Sequence, residues 1–140
     1  MSGIAASAFL GLAVVVGAPN EAPSEPTFEI DVSNTTRSLR AGETGTFAVH
    51  IKPAEGYKVN EKGPLRLQLE APAQLALEKA VLSRDDARGE TTAPELVCGL
   101  DARKEGEAPI DVRAMFVICD EAGTVCEMKR ETFEVAVEVD

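Results

Sequence analysis

Residues Ala114–Glu127 read AMFVICDEAGTVCE, and Thr132–Val139 follow as TFEVAVEV. The first stretch is an apolar strand running to Cys119, a turn-rich link over Asp120–Thr124, then Val125 and Cys126. The second alternates apolar and polar residues with a period of two, the pattern of a strand with one buried face. Together they predict a β-hairpin with a cysteine on either side of its turn.

The same period recurs upstream. Phe28, Ile30 and Val32 alternate with Thr27, Glu29 and Asp31. Phe47, Val49 and Ile51 alternate with Thr46, Ala48, His50 and Lys52, ahead of Pro53. Leu65, Leu67 and Leu69 alternate with Arg66, Gln68 and Glu70, between Pro64 and Pro72. Val112, Ala114, Phe116 and Ile118 share one face of the strand entering the hairpin; Phe133, Val135, Val137 and Val139 share one face of the strand leaving it. Leu96–Leu100, which carries Cys98, is a shorter apolar strand. Gln74–Arg88 mixes partial alternation with good helix formers; short strands are expected near Leu75–Leu77 and Ala80–Ser83, and a loop over Asp85–Thr92. Alternating segments separated by Gly and Pro turns predict an all-β antiparallel sandwich.

At 140 residues the chain is long enough for one domain with a real core. Met1–Ala18 carries an apolar run from Ile4 to Val16, the length of a signal-peptide hydrophobic region and short for a membrane span. Residues 1–18 are therefore read as a signal peptide or N-terminal anchor of an exported protein. Residues 19–26, with three prolines, are a linker, and residues 27–140 are the sandwich domain. No integral membrane span is expected after residue 26.

Hydrophobic residues make up 44% of the chain, which excludes a disordered acidic tail. With no Trp, one Tyr and five Phe, the core must be built from Val, Leu, Ile and Ala. The formal charge of −10, or −8 without Glu21 and Glu25, argues against nucleic acid and anionic membrane surfaces as partners.

The chemistry concentrates in the hairpin. Because Val112–Ile118 place alternate side chains in the core, Cys119 lies on the opposite face, where it is expected to be accessible to a partner thiol. Six residues separate it from Cys126, and facing residues on paired strands are close enough for a disulfide. Such a ring stabilises a domain by about 2.5 kcal/mol on the chain-entropy account, a modest amount for a fold with a full core. Cys98 reads as a buried apolar residue, although it could compete for pairing. Three cysteines and the single histidine, His50, lack the close spacing of a zinc site, and His50 reads as a solvent-facing strand residue. No phosphate loop, nucleophile elbow or HExxH motif is present, so neither metal nor cofactor is expected. Asp85-Asp86 and Asp120-Glu121 read as solvated turn residues.

Two blocks in order carry a resemblance. Phe47–Asn60 reads FAVHIKPAEGYKVN, followed by Pro64–Pro72, PLRLQLEAP; Phe116–Cys126 reads FVICDEAGTVC and leads into the last strand. This order resembles the N-terminal periplasmic domain of the thiol–disulfide interchange protein DsbD and its looser relatives. The resemblance implies an immunoglobulin-like sandwich, a redox pair at Cys119 and Cys126, Tyr57 in the loop after the second strand, and a thioredoxin-like or other periplasmic protein as partner. It further implies export to the periplasm or cell envelope of a Gram-negative bacterium.

Two readings stay open. In one, the domain is a non-enzymatic interaction or accessory module with a hairpin disulfide as staple. In the other, Cys119 and Cys126 pass electrons to periplasmic thiol partners by disulfide exchange.

Overall fold

A computed structural model of the chain describes residues 26–140. The expected signal peptide or anchor at residues 1–18, and all but Pro26 of the linker, lie outside the described residues. The strands are β1 (Phe28–Asp31), β2 (Ser38–Leu39), β3 (Thr44–Pro53), β4 (Tyr57–Val59), β5 (Leu65–Glu70), β6 (Leu75–Leu77), β7 (Val81–Ser83), β8 (Ala87–Arg88), β9 (Glu95–Ala102), β10 (Gly106–Asp120) and β11 (Cys126–Val139). They form two sheets packed face to face, as in an immunoglobulin-like sandwich. One has the order β1-β3-β9-β6, with β8 also on β9; the other has the order β2-β11-β10-β5-β7, with β4 also on β10. All pairings are antiparallel except β2 with β11.

The alternating residues meet between the sheets. Phe47, Val49 and Ile51 from β3 and Leu96, Cys98 and Leu100 from β9 face Leu65, Leu67 and Leu69 from β5 and Ile110, Val112 and Phe116 from β10. Phe28 completes one end, its ring edge-on to Phe116 with centroids 5.0 Å apart. At the edge of β3 beyond β1, the buried Thr35 hydroxyl accepts from the Ala48 N–H at 2.9 Å and donates to its carbonyl at 2.8 Å. A side chain thus continues the ladder where none of the described strands does.

Several boundaries differ from the sequence expectation. β11 begins at Cys126 rather than near Thr132, because Glu127, Lys129 and Glu131 occupy inward positions and erase the apolar alternation. Asp85–Thr92 is not all loop: a 3-10 turn at Arg84–Asp86 leads into β8, which pairs with β9. In β7 Leu82 enters the core and Val81 is exposed. Tyr57, expected in a loop, opens β4. His50 is half-buried rather than solvent-facing, its Nε2 lying 3.1 Å from the Ala93 carbonyl.

Phe116→Ala is expected to destabilise the domain by about 3–5 kcal/mol, since it empties a fully buried aromatic site and frees Phe28. Urea denaturation of wild type and variant measures the loss. Val81→Thr, at an exposed position, is expected to stay within about 0.5 kcal/mol.

Candidate functional site

β10 and β11 pair without interruption from Gly106↔Val139 to Cys119↔Cys126. Beyond the cysteines Asp120 N–H donates to the Val125 carbonyl at 2.9 Å and Gly123 N–H to the Asp120 carbonyl at 2.9 Å. Gly123 has φ +77°, which the turn requires and a side chain resists. Asp120 completes the turn with its carboxylate, which accepts from the Thr124 N–H at 2.8 Å and the Thr124 hydroxyl at 2.9 Å. The Thr124 hydroxyl, then the backbone N–H groups of Val125 and Thr124, hold the Asp120 carboxyl below the usual carboxylate range. Asp120 is thus a turn lock, not a free loop acid. Asp86 likewise pairs with Lys79 and accepts the Ser83 N–H.

Cys119 and Cys126 are joined by a disulfide with their Cα atoms 4.0 Å apart. Cys119 faces away from the core, as its parity requires, yet it is 1% exposed. The expectation that it is accessible is corrected; the exposed residue of the pair is Cys126.

Burial of Cys119 has a local cause. β4 and β5 run along the same edge of β10, pairing with Ile118–Asp120 and Asp111–Phe116 respectively. Between them β10 offers Val117 alone, whose carbonyl accepts the Asn60 N–H at 2.8 Å. Residues Glu61–Pro64 have no place in the ladder and loop over the outer face. Gly63 passes so close that a Cβ there would lie 3.1 Å from the Val117 side chain. Arg84 pins the loop, donating to the carbonyls of Asn60 at 2.9 Å and Gly63 at 3.0 Å.

The loop orients Asn60 over the disulfide. Its Oδ1 accepts from the N–H groups of Lys62 at 2.7 Å and Gly63 at 2.8 Å, which turns Nδ2 toward the sulfurs. Nδ2 lies 3.2 Å from Cys119 Sγ and 4.0 Å from Cys126 Sγ. Tyr57, implied by the resemblance, is exposed and sits opposite Asp120. Asn60 and Arg84 were not singled out from sequence. Asn60 closes the GYKVN turn, but its role depends on a strand 59 residues away.

The sequence matches no protein-family model and no curated protein sequence. Among solved structures, the chain is similar to domains 4 and 5 of the S-layer protein SbsC, at 20% identity and TM-score 0.43, covering 84% of this chain and 54% of that one. It is similar to a Bacteroides thetaiotaomicron lipoprotein at 18% identity and TM-score 0.44, covering 84% and 83%. It is also similar to the Neisseria meningitidis DsbD N-terminal domain in the reduced form, at 16% identity and TM-score 0.33, covering 86% and 94%.

Cys98 is a free thiol in the core, in the opposite sheet from the disulfide, and burial pushes its pKa up. Among the described residues, no helix is long and apolar enough to cross a membrane.

After mild reduction, iodoacetamide at neutral pH is expected to alkylate Cys126 first and Cys98 only on unfolding; mapping the labelled peptides checks the order. A pH titration tests the turn lock. Because the folded Asp120 carboxyl lies below its ordinary value of 3.8, its contribution is complete above that value and is lost as pH falls through the folded one. The Thr124 and Val125 amide resonances should shift with a midpoint below 3.8. A midpoint at or above it would remove Asp120 from this role.

Proposed function

We propose that the chain is an exported cell-envelope domain whose Cys119–Cys126 disulfide exchanges with the thiols of partner proteins, in the manner of the DsbD N-terminal domain it resembles. The observation that carries this reading is the asymmetry of the pair: an exposed Cys126, and a buried Cys119 with the Asn60 amide directed at its sulfur.

The chemistry follows from that asymmetry. A partner thiolate attacks Cys126 Sγ, forming a new S–S bond as the Cys126–Cys119 bond breaks. The bonding electron pair leaves on Cys119 as a thiolate, and Asn60 Nδ2 already lies within hydrogen-bond reach of that sulfur. A hydrogen bond to a charged group contributes about 1.5–3 kcal/mol, against roughly 1 kcal/mol for a neutral one, so Asn60 favours the transition state over the intact disulfide. A second partner thiol then attacks its own sulfur in the mixed disulfide. Cys126 leaves, so the domain has gained two electrons and this donor is oxidised to a disulfide; the same steps in reverse pass the electrons on to the disulfide of a second partner.

A staple role alone fits less well. The hairpin is already fixed by its ladder, the Asp120 lock and the β4 pairing, so the covalent link adds little that the fold lacks.

The reduction potential of the pair tests the reading: a value above about −300 mV is expected, and one below it marks a purely structural bond and sinks exchange. Asn60→Asp keeps the Oδ1 acceptor of the turn while removing the donor. It is expected to leave the melting temperature nearly unchanged, raise the Cys119 thiol pKa, and slow reduction by dithiothreitol by about tenfold. In a Cys119→Ser variant, Cys126 should trap mixed disulfides readily; in Cys126→Ser, Cys119 should not.

A further inference from the structure

The register of the second sheet sorts the side chains of its outer face into rows. Cys119 and Cys126 share a row with Lys58, and Val117 and Met128 form the next. Then come Arg66, Met115 and Arg130, followed by Gln68, Arg113 and Thr132. Beyond those lie Glu70, Asp111 and Glu134, and further on Glu107 and Glu138. The face is therefore divided by charge. Its half nearest the disulfide carries four cations and no carboxylate in the strand rows, while the far half carries the acids.

This division stands out in a chain of net charge −10. Arg66, Arg113 and Arg130 are exposed and line a shallow groove with Gln68, Met115 and Thr132. Among the described residues, none of the three takes part in an ion pair or a side-chain hydrogen bond; the ion pairs are Lys52–Asp31, Lys79–Asp86, Arg88–Glu95 and Lys129–Glu127. Glu131 borders the groove from the edge of β11 but has the opposite parity.

We infer that the arginine half of this face is the docking surface for a partner protein whose thiol is surrounded by acidic residues. The inference rests on the exchange reading for the identity of the reacting bond. Residues on one face repeat about every 6.8 Å along a strand, so the Arg66–Arg130 row lies roughly 13 Å from the disulfide row. A standard interface covers about 800 Å² per partner, a disc of roughly 16 Å radius. A partner with its thiol on Cys126 would thus cover Met128 and the Arg66–Arg130 row, while Arg113, one step further at roughly 20 Å, lies just beyond the rim of that disc. Guanidinium forks match carboxylates in pairs, and complementary charge raises the encounter rate. A nucleic-acid strand fits less well, because its run of phosphates would continue into Glu70, Asp111 and Glu134.

Two synthetic peptides, one cysteine flanked by glutamates and one flanked by lysines, test this against wild type and the triple variant R66E/R113E/R130E. Uncharged dithiothreitol serves as reference. In low salt the acidic peptide is expected to open the Cys119–Cys126 disulfide about tenfold faster than the basic one. That preference should vanish at roughly 0.5 M salt and reverse in the variant, with the dithiothreitol rate unchanged. Equal preference in wild type and variant, with dithiothreitol still active on both, would overturn the docking surface and leave exchange standing. Cysteine-to-serine versions of the peptides separate the two ideas from the other side. If dithiothreitol does not reduce the native pair, yet the acidic serine peptide binds wild type and not the variant, exchange falls and the docking surface stands. If the serine peptide does not bind, or a short DNA strand binds more tightly, the docking surface falls.

Discussion

The pairing of β10 on both edges governs the rest of the molecule. One edge is taken by β11 along the full strand, and the other is divided between β5 and β4. β4 and β5 are nearly collinear, but the chain between them has more residues than β10 has positions to offer. Those residues must rise out of the sheet, and the outer face above Val117 and Cys119 is the surface next to them. The roof over the disulfide is therefore a consequence of strand register. Gly63 makes the close pass possible, and Arg84 holds both ends of the loop to a neighbouring element.

That arrangement separates two jobs that a disulfide can perform. A bond that closes an otherwise loose loop is needed for stability, because it removes entropy from the unfolded chain. Here the loop ends are already paired by a long ladder, and the turn is locked by Asp120. The cysteines sit on a frame that has its own ladder and turn hydrogen bonds. Opening of the pair, as the proposed exchange requires, would leave the register held by the core, since a slip of one residue would turn the Val112–Ile118 row out of it. The buried sulfur has a fixed donor, and the exposed one meets solvent.

The parts of the fold legible in the sequence were those where one face is fully covered. β5 alternates without exception, and the inner row of β10 was read in the right order. The cysteine pairing and the buried state of Cys98 were also within reach of the sequence. β4 and β8 were not. β4 is held by Ile118–Asp120, about 60 residues on, and the two residues of β8 sit in a polar stretch that shows no period. The equally short β6 and β7 fall where leucines partly alternate. The parity of Cys119 was correct while its exposure was not. Parity is a local property, whereas the cover over Cys119 comes from residues 60–63. The arginine rows were invisible for the same reason. Arg66, Arg113 and Arg130 are ordinary outward residues of three strands until the register sets them side by side.

The edge of β11 shows why its first half breaks the apolar alternation. Among the described residues, no strand pairs with its outer side from Cys126 to about Glu134, since β2 joins only at Glu138 and Val139. An open edge of that length is a template for unwanted strand addition. Inward-pointing charges oppose it, and Glu127, Lys129 and Glu131 occupy those positions. Lys129 is tied down by Glu127 at 2.9 Å and lies 6.0 Å from the centre of the Phe28 ring, so its charge is held at the mouth of the core. Cys126 sits on this same edge. Charged residues discourage a neighbouring strand while leaving Cys126 uncovered. The residues that hid the strand in the sequence are thus the ones that keep its edge both single and reachable.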